Sequence, residues 1–484
     1  MFKKIKLVIA MAIIAGEAIA QQPAMPADSL LTLSLEECIT IALNESPTIK
    51  VADMEITRVD YSKKEVLGQL FPNIAFNGTY QRTLAKQVTY FDMDMSKFGG
   101  GGSTGEGSEE QPSGGEEPST EETTKSNDGM KMGRDNLYNL GFSASMPLIA
   151  PQLWKTIKLN DAQILQNVEK ARASRINLVN QVENAYYTLL LAKDSHRVIL
   201  ENYERAKLNL SIYEGRFKVG TASEYDVLRA SVQVKNVEPE LLTAEISIRQ
   251  AKLQLLVLMN VDVRCNIEPS CALADYEKTM YDRTLSIDRN IENNTDLRSL
   301  DLQTEYLRRA LEVQRMAWVP TLSLSGSYAW MSMSNGSPFK NFRWNPSSSI
   351  GLSLSVPLFQ GGQRYNKVRQ AEVSVAEMSW QRANLEQSIR MQVEIQIDNI
   401  QKNVRQIASS AEGVTEAQKA YDIMHRSFDI GAASFLDVRD SEVALMSSKL
   451  TYYQSIYNYL IAESNLKLLL GNEDLSKYPT NDNK

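Results

Sequence analysis

Apolar residues recur three and four positions apart from residue 35 to 70 and again from 288 to 318, the period of a helix with one buried face. Each run ends just before a proline, Pro72 or Pro320, and there the period changes from about 3.6 to 2. Ile74, Phe76, Gly78 and Tyr80 alternate with Ala75, Asn77, Thr79 and Gln81, and Leu140, Phe142, Ala144 and Met146 alternate with Asn139, Gly141, Ser143 and Ser145. The pattern returns with Leu322, Leu324, Gly326, Tyr328 and Trp330 against Ser323, Ser325 and Ser327, then Ile350, Leu352, Leu354 and Val356 against Gly351, Ser353 and Ser355. Four strands are expected, near 73–82, 136–147, 321–330 and 348–357, each about the length that crosses a bilayer when tilted. One face of each suits lipid and the other is small and polar. Tyr80, Tyr138, Tyr328 and Trp330 fall at the ends away from the helices, where an aromatic girdle sits, and Pro72, Pro147, Pro320 and Pro357 fall at the opposite ends.

Helical periodicity then runs from about Gln152 to Val219 and from Gly362 to Ile430, each stretch long enough to reach about 100 Å at 1.5 Å per residue. Such length without breaks predicts coiled-coil-like packing. Shorter helices return from Ser223 to Leu258 and from Ser434 to Leu470, and Pro239 predicts a kink or local break in the first. The two connecting turns share one chemistry. Gly220 and Gly431 can end the incoming helix in a left-handed conformation, and Ser223 with Asp226, like Ser434 with Asp437, forms the S-x-x-D box that starts the next helix.

The chain reads as one plan written twice. Pro72, Phe76, Gly78 and Tyr80 map onto Pro320, Leu324, Gly326 and Tyr328, each 248 residues on, while Gly220, Ser223 and Asp226 map onto Gly431, Ser434 and Asp437, each 211 on. Residues 21–287 form the first expected repeat, with its hairpin tip near 219–226, and 288–484 the second, with its tip near 430–437.

Charge and targeting signals narrow the function. Lys3, Lys4 and Lys6 precede an apolar run from Leu7 to Ala15, and Ala18-Ile19-Ala20 completes an export signal over 1–20, with the mature chain expected to begin near Gln21. Between the first two strands, residues 99–128 combine Gly99 to Gly102 with an acidic run and are expected to form a solvated outer loop. With 52 Lys and Arg against 59 Asp and Glu, and a net charge of −7, there is no basic footprint for nucleic acid. His196 and His425 lie singly inside helical stretches, and no phosphate loop or Cys/His cluster appears, so neither an enzyme, a cofactor nor a metal centre is expected. Cys38 lies on an apolar helix face, whereas Cys265 and Cys271 are close enough in sequence to close a disulfide loop in an oxidising compartment. Met93, Met95, Met331 and Met333 invite a copper reading, but are expected in outer loops or at strand ends and not along a bore.

Four strands cannot close, and an open edge facing lipid leaves backbone groups unpaired at several kcal/mol each. Chains must therefore pool strands: two copies supply eight, a barrel only wide enough for its own side chains, whereas three supply twelve and leave a bore, so three are expected where a conduit is needed. Leu33-Ser34-Leu35-Glu36-Glu37 with Ala42-Leu43-Asn44, Tyr186-Tyr187-Thr188-Leu189-Leu190, Arg216-Phe217-Lys218-Val219-Gly220, Asp226-Val227-Leu228 and Ser355-Val356-Pro357-Leu358-Phe359-Gln360-Gly361-Gly362 resemble the TolC-type outer membrane efflux proteins.

That resemblance implies an α+β membrane protein: a homotrimer with a twelve-stranded outer-membrane β-barrel in lipid, continued by a periplasmic α-helical barrel. It further implies docking to a periplasmic adaptor and an inner-membrane transporter, through tips at Gly220, Thr221, Ala222 and Ser223 and at Gly431, Ala432, Ala433 and Ser434. Relatives narrow the tunnel with acidic residues after the second turn; the matching positions are Asp437 and Asp440, on one helical face. Relatives also tie the closed tip by bonds from an aspartate to a tyrosine and an arginine. The matching positions here are Asp226, Phe428 and Ala433, so closure by packing is expected instead. The rival expectation is a periplasmic coiled-coil scaffold or adaptor, which accounts for the helices but not for the four alternating segments.

Overall fold

A computed structural model describes residues 30–89, 130–283, 289–340 and 342–479. The expected export signal, the acidic stretch 99–128, Met93 and Met95 lie outside these residues. In chain order the elements are β1 (Leu30–Leu33), α1 (Leu35–Glu45), α2 (Pro47–Gly68), β2 (Asn73–Arg82), β3 (Gln87–Thr89), β4 (Met130–Met132), β5 (Asn136–Ile149), α3 (Pro151–Lys218) and α4 (Glu224–Leu258). They continue with β6 (Asn266–Pro269), α5 (Leu273–Arg283), α6 (Thr295–Met316), β7 (Thr321–Ser334), β8 (Asn345–Ser355), α7 (Gln363–Asp429) and α8 (Phe435–Leu470). They fall into two compact units, one drawn from residues 1–64, 155–315 and 365–484, the other from 65–154 and 316–364.

The helical unit contains α3 and α7, of 68 and 67 residues, each about 100 Å long at 1.5 Å per residue. Along α7, Ile389, Val393, Ile397, Ile400 and Ile407 are buried three, four or seven apart, the seam of a coiled coil. The core gathers Cys38, Ile39 and Leu43 of α1, Val182, Tyr186, Leu189 and Leu190 of α3, Leu255 and Leu256 of α4, and Ile456, Tyr459 and Leu460 of α8. Each fully buried large side chain there contributes about 1.5–3 kcal/mol.

Three local expectations change in this unit. The run from 35 to 70 is two helices, because Pro47 disfavours the helical conformation at Ser46, which sits at φ −60 and ψ 126. Pro239 does not break α4: it lies on an exposed face, where the carbonyl it leaves unpaired can be hydrated, while Val237 and Ala244 are buried on either side. The loop between Cys265 and Cys271 is not closed. Both cysteines are free, and the extended strand β6, paired in parallel with β1, stands between them. Cys271 Sγ instead meets the hydroxyls of Tyr186 and Tyr276, each at 3.5 Å. Cys38 is fully buried, which pushes its thiol up to about 12.

The strand unit is a four-stranded antiparallel sheet in the order β2-β5-β7-β8, so β2 and β8 are its edges. Its register aligns the alternation across the sheet. Phe76, Phe142, Tyr328 and Ser348 share one row, Gly78, Leu140, Trp330 and Pro346 the next, both on the apolar face. On the opposite face Ala75, Ser143, Ser327 and Ser349 line up, and Ser327 and Ser349 share a hydrogen bond of 2.8 Å. Gly141 is required there, since a Cβ would lie 2.9 Å from the Ala329 backbone. Strand β7 extends to Ser334, so Met331 and Met333 lie at a strand end, as expected, and the alternation carried that far places both on the small polar face.

An aromatic cluster occupies the apolar face at the ends of these strands. Tyr80 stacks on Tyr138 at 4.9 Å, and the connection from β7 to β8 lays Phe339 and Phe342 on Tyr138 at 5.7 and 4.9 Å. Polar bonds fix that connection. Asp135 accepts from the Gly336 N–H at 2.9 Å, and the Phe339 N–H donates to the Tyr138 hydroxyl at 2.8 Å. Lys86 pairs with Asp135 at 3.0 Å.

Candidate functional site: the paired helix turns

The two turns of the helical unit are built alike. Gly220 and Gly431 both sit at φ +76, a left-handed conformation that costs glycine nothing. In each, two backbone bonds satisfy the last carbonyls of the incoming helix: Gly220 N to Phe217 O and Thr221 N to Arg216 O, both 2.9 Å, then Gly431 N to Phe428 O at 3.0 Å and Ala432 N to Ser427 O at 2.7 Å. Ser223 and Ser434 each accept from the backbone N–H three residues on, while Asp226 and Asp437 accept back from the serine N–H and hydroxyl. These bonds from Ser223 and Ser434 hold both aspartates below the ordinary carboxylate range, so both are charged at neutral pH.

Ala222 and Ala433 are half-buried, whereas Gly220, Thr221, Ser223, Gly431, Ala432 and Ser434 are exposed. Asp437 and Asp440 are exposed too, one helical turn apart on α8. Asp226 caps α4 and is half-buried.

The turns are joined by a contact the sequence reading missed. Tyr213 of α3 meets Phe435 of α8 at 5.1 Å and Phe428 of α7 at 6.3 Å. Arg216 lies over the Phe428 ring at 5.1 Å, and Arg229 of α4 lies over Phe435 at 5.7 Å. Two guanidinium groups from one hairpin thus clasp two rings of the other, with the Tyr213 ring between them. A signal existed. Under the 211-residue shift Arg216 faces Ser427, Phe435 faces Glu224, and Arg229 faces Asp440, so these three clasp residues stand where the halves differ, whereas Phe428 matches Phe217.

A second layer follows along the helices. Arg205 lies over Tyr421 at 4.8 Å, Tyr421 meets His425 at 5.7 Å, and His425 Nδ1 is 3.3 Å from Asp429. Glu442 is buried beside them and takes a bond from Asn209; burial pushes its carboxyl up. Among the described residues no group of His, Cys, Asp and Glu is arranged to hold a metal ion.

What these elements belong to follows from comparison. The sequence model described as Outer membrane efflux protein matches residues 38–261 and 286–472, which takes in both hairpins, both turns and all four strands of the sheet. The chain belongs to the outer membrane efflux protein family. Outer membrane protein TolC of Salmonella enteritidis is 26% identical over 328 residues, and that of Escherichia coli (strain K12) 26% identical over 335. Each alignment covers 66% of this chain and 66% of the relative, so the chain spans just under two thirds of their length. The crystal structure of the Campylobacter jejuni CmeC outer membrane channel shares the fold, with a TM-score of 0.67 at 16% identity over 96% of this chain and 93% of that one. In this family member, then, both helical hairpins and the four-stranded sheet lie within the matched residues.

Proposed function

We propose that the chain is one of three identical subunits of an outer-membrane conduit, through which solutes delivered by an inner-membrane transporter and a periplasmic adaptor leave the cell. The observation that carries this is the sheet. It has an apolar face, an opposite face of hydroxyls and small residues, and two edges, β2 and β8, with one neighbour each. Exposed Ile74 and Phe76 on one edge strand and Ile350, Leu352 and Leu354 on the other suit hydrocarbon, and hydrocarbon requires the edges to be paired. Joining β8 of one copy to β2 of the next satisfies both edges, and three copies give a twelve-stranded barrel with its hydroxyl face inward.

The two halves, which follow the same order of helix, strands and long helical hairpin, are read as structural repeats, 21–287 and 288–484. Their turns, Gly220 to Ser223 and Gly431 to Ser434, are proposed as the contacts for adaptor and pump. Asp437 and Asp440 of three chains would ring the axis with carboxylates and favour cations, while Asp226 caps and Phe428 packs the closed tip. Nothing in this arrangement transforms the solute, and no nucleic acid or cofactor enters it. Reconstitution into planar bilayers tests the proposal. Cation-preferring unitary channels are expected, and purified protein that adds no conductance at any concentration overturns it.

A further inference from the structure

The small polar face of the sheet changes character along its length. From the helix-connected ends its rows read Ser323 and Ser353; Asn73, Ser145, Ser325 and Gly351; Ala75, Ser143, Ser327 and Ser349; and Asn77, Gly141, Ala329 and Ser347. The last rows are different. Thr79, Asn139, Met331 and Asn345 are followed by Gln81, Leu137 and Met333. No charged side chain occurs on this face from Thr321 to Met333 or on the strands paired with it, so the wall cannot sort solutes by charge.

Met331 and Met333 are 38% and 42% exposed, long apolar side chains on a face otherwise made mainly of hydroxyls, amides and small residues. The folded connection after β7 does not cover them, because its rings pack on Tyr80 and Tyr138, on the opposite face. We propose that Leu137, Met331 and Met333 form an apolar collar at the outer end of the bore, a specificity-determining constriction where a passing solute meets hydrocarbon and thioether instead of hydroxyl. The inference rests on the conduit reading. Three copies would place nine such side chains around one ring, and methionine, flexible and polarisable, suits contact with varied solutes that carry an apolar part.

The test is single-channel recording of the wild type and of the triple variant Leu137→Ser, Met331→Ser, Met333→Ser. The triple variant should conduct more per channel with its cation preference unchanged, and tetrabutylammonium added from the outer side should block it less than the wild type. Met331→Leu with Met333→Leu, which keeps the collar apolar, should behave as wild type. Where the triple variant does not assemble, Met333→Cys serves: a charged methanethiosulfonate should lower its conductance, and no response overturns the collar. Wild-type channels accompanied by unchanged conductance and block in the serine variant overturn the collar alone. A wild type that forms no channels removes the conduit reading and the collar together.

Discussion

Phe428→Ala should loosen the joint between the two helix turns without unfolding either hairpin. The ring makes a tilted contact with Tyr213 at 6.3 Å and lies under Arg216 at 5.1 Å. An aromatic pair contributes about 0.5–1.5 kcal/mol and a solvent-accessible cation–π contact about 0.5–1 kcal/mol, so truncation should cost about 1–2 kcal/mol. That corresponds to a roughly 5- to 30-fold rise in the population with the joint open. The amides of Gly431 and Ala432 report it, since both are hydrogen-bonded in the closed turn, at 3.0 and 2.7 Å. Their hydrogen exchange should quicken by the same factor, while amides near buried Ile397 and Ile400 keep their rates. Phe428→Tyr keeps the ring and should exchange as the wild type. Turn amides left unchanged in Phe428→Ala, or sped as much in Phe428→Tyr, would show that the ring does not hold the joint.

Other substitutions probe other links. Asp437→Asn with Asp440→Asn keeps side chains that can accept the capping bonds but removes the charge, so cation preference in single-channel recordings should fall with assembly intact; unchanged selectivity would exclude both residues from the constriction. Gly141→Ala puts a methyl 2.9 Å from the Ala329 backbone, which cannot swing aside as a side-chain tip would, and should cost about 1–3 kcal/mol in detergent unfolding experiments. Burial holds the Glu183 carboxyl above its ordinary 4.5, so the folded chain keeps that proton longer than the unfolded chain and stability falls as pH rises from 4.5 through the raised value. Glu183→Gln keeps an acceptor for the Ser464 hydroxyl and should flatten that part of the stability–pH curve, measured by thermal unfolding at a series of pH values.

The sheet was legible because its two environments enforce a strict period: Phe76 and Phe142 face one way and Ala75 and Ser143 the other, and a slip of one residue would exchange them. The turns were legible because Gly220 with Ser223 and Gly431 with Ser434 carry backbone requirements that few residues meet. Strands β1 and β6 were not, since four residues are too few to show a period and their partners lie far apart in the chain. Nor was the clasp, because Tyr213, Arg216, Arg229, Phe428 and Phe435 come from four helices and meet only after both hairpins fold. That α4 runs unbroken through Pro239 was not legible for a related reason: it depends on which face of α4 is exposed, which packing decides.

Counting the chains in a particle is the most direct test. Native mass spectrometry of protein extracted from membranes in mild detergent should give the mass of three chains. A stable single chain, with the outer edges of β2 and β8 both unpaired, would contradict the trimer.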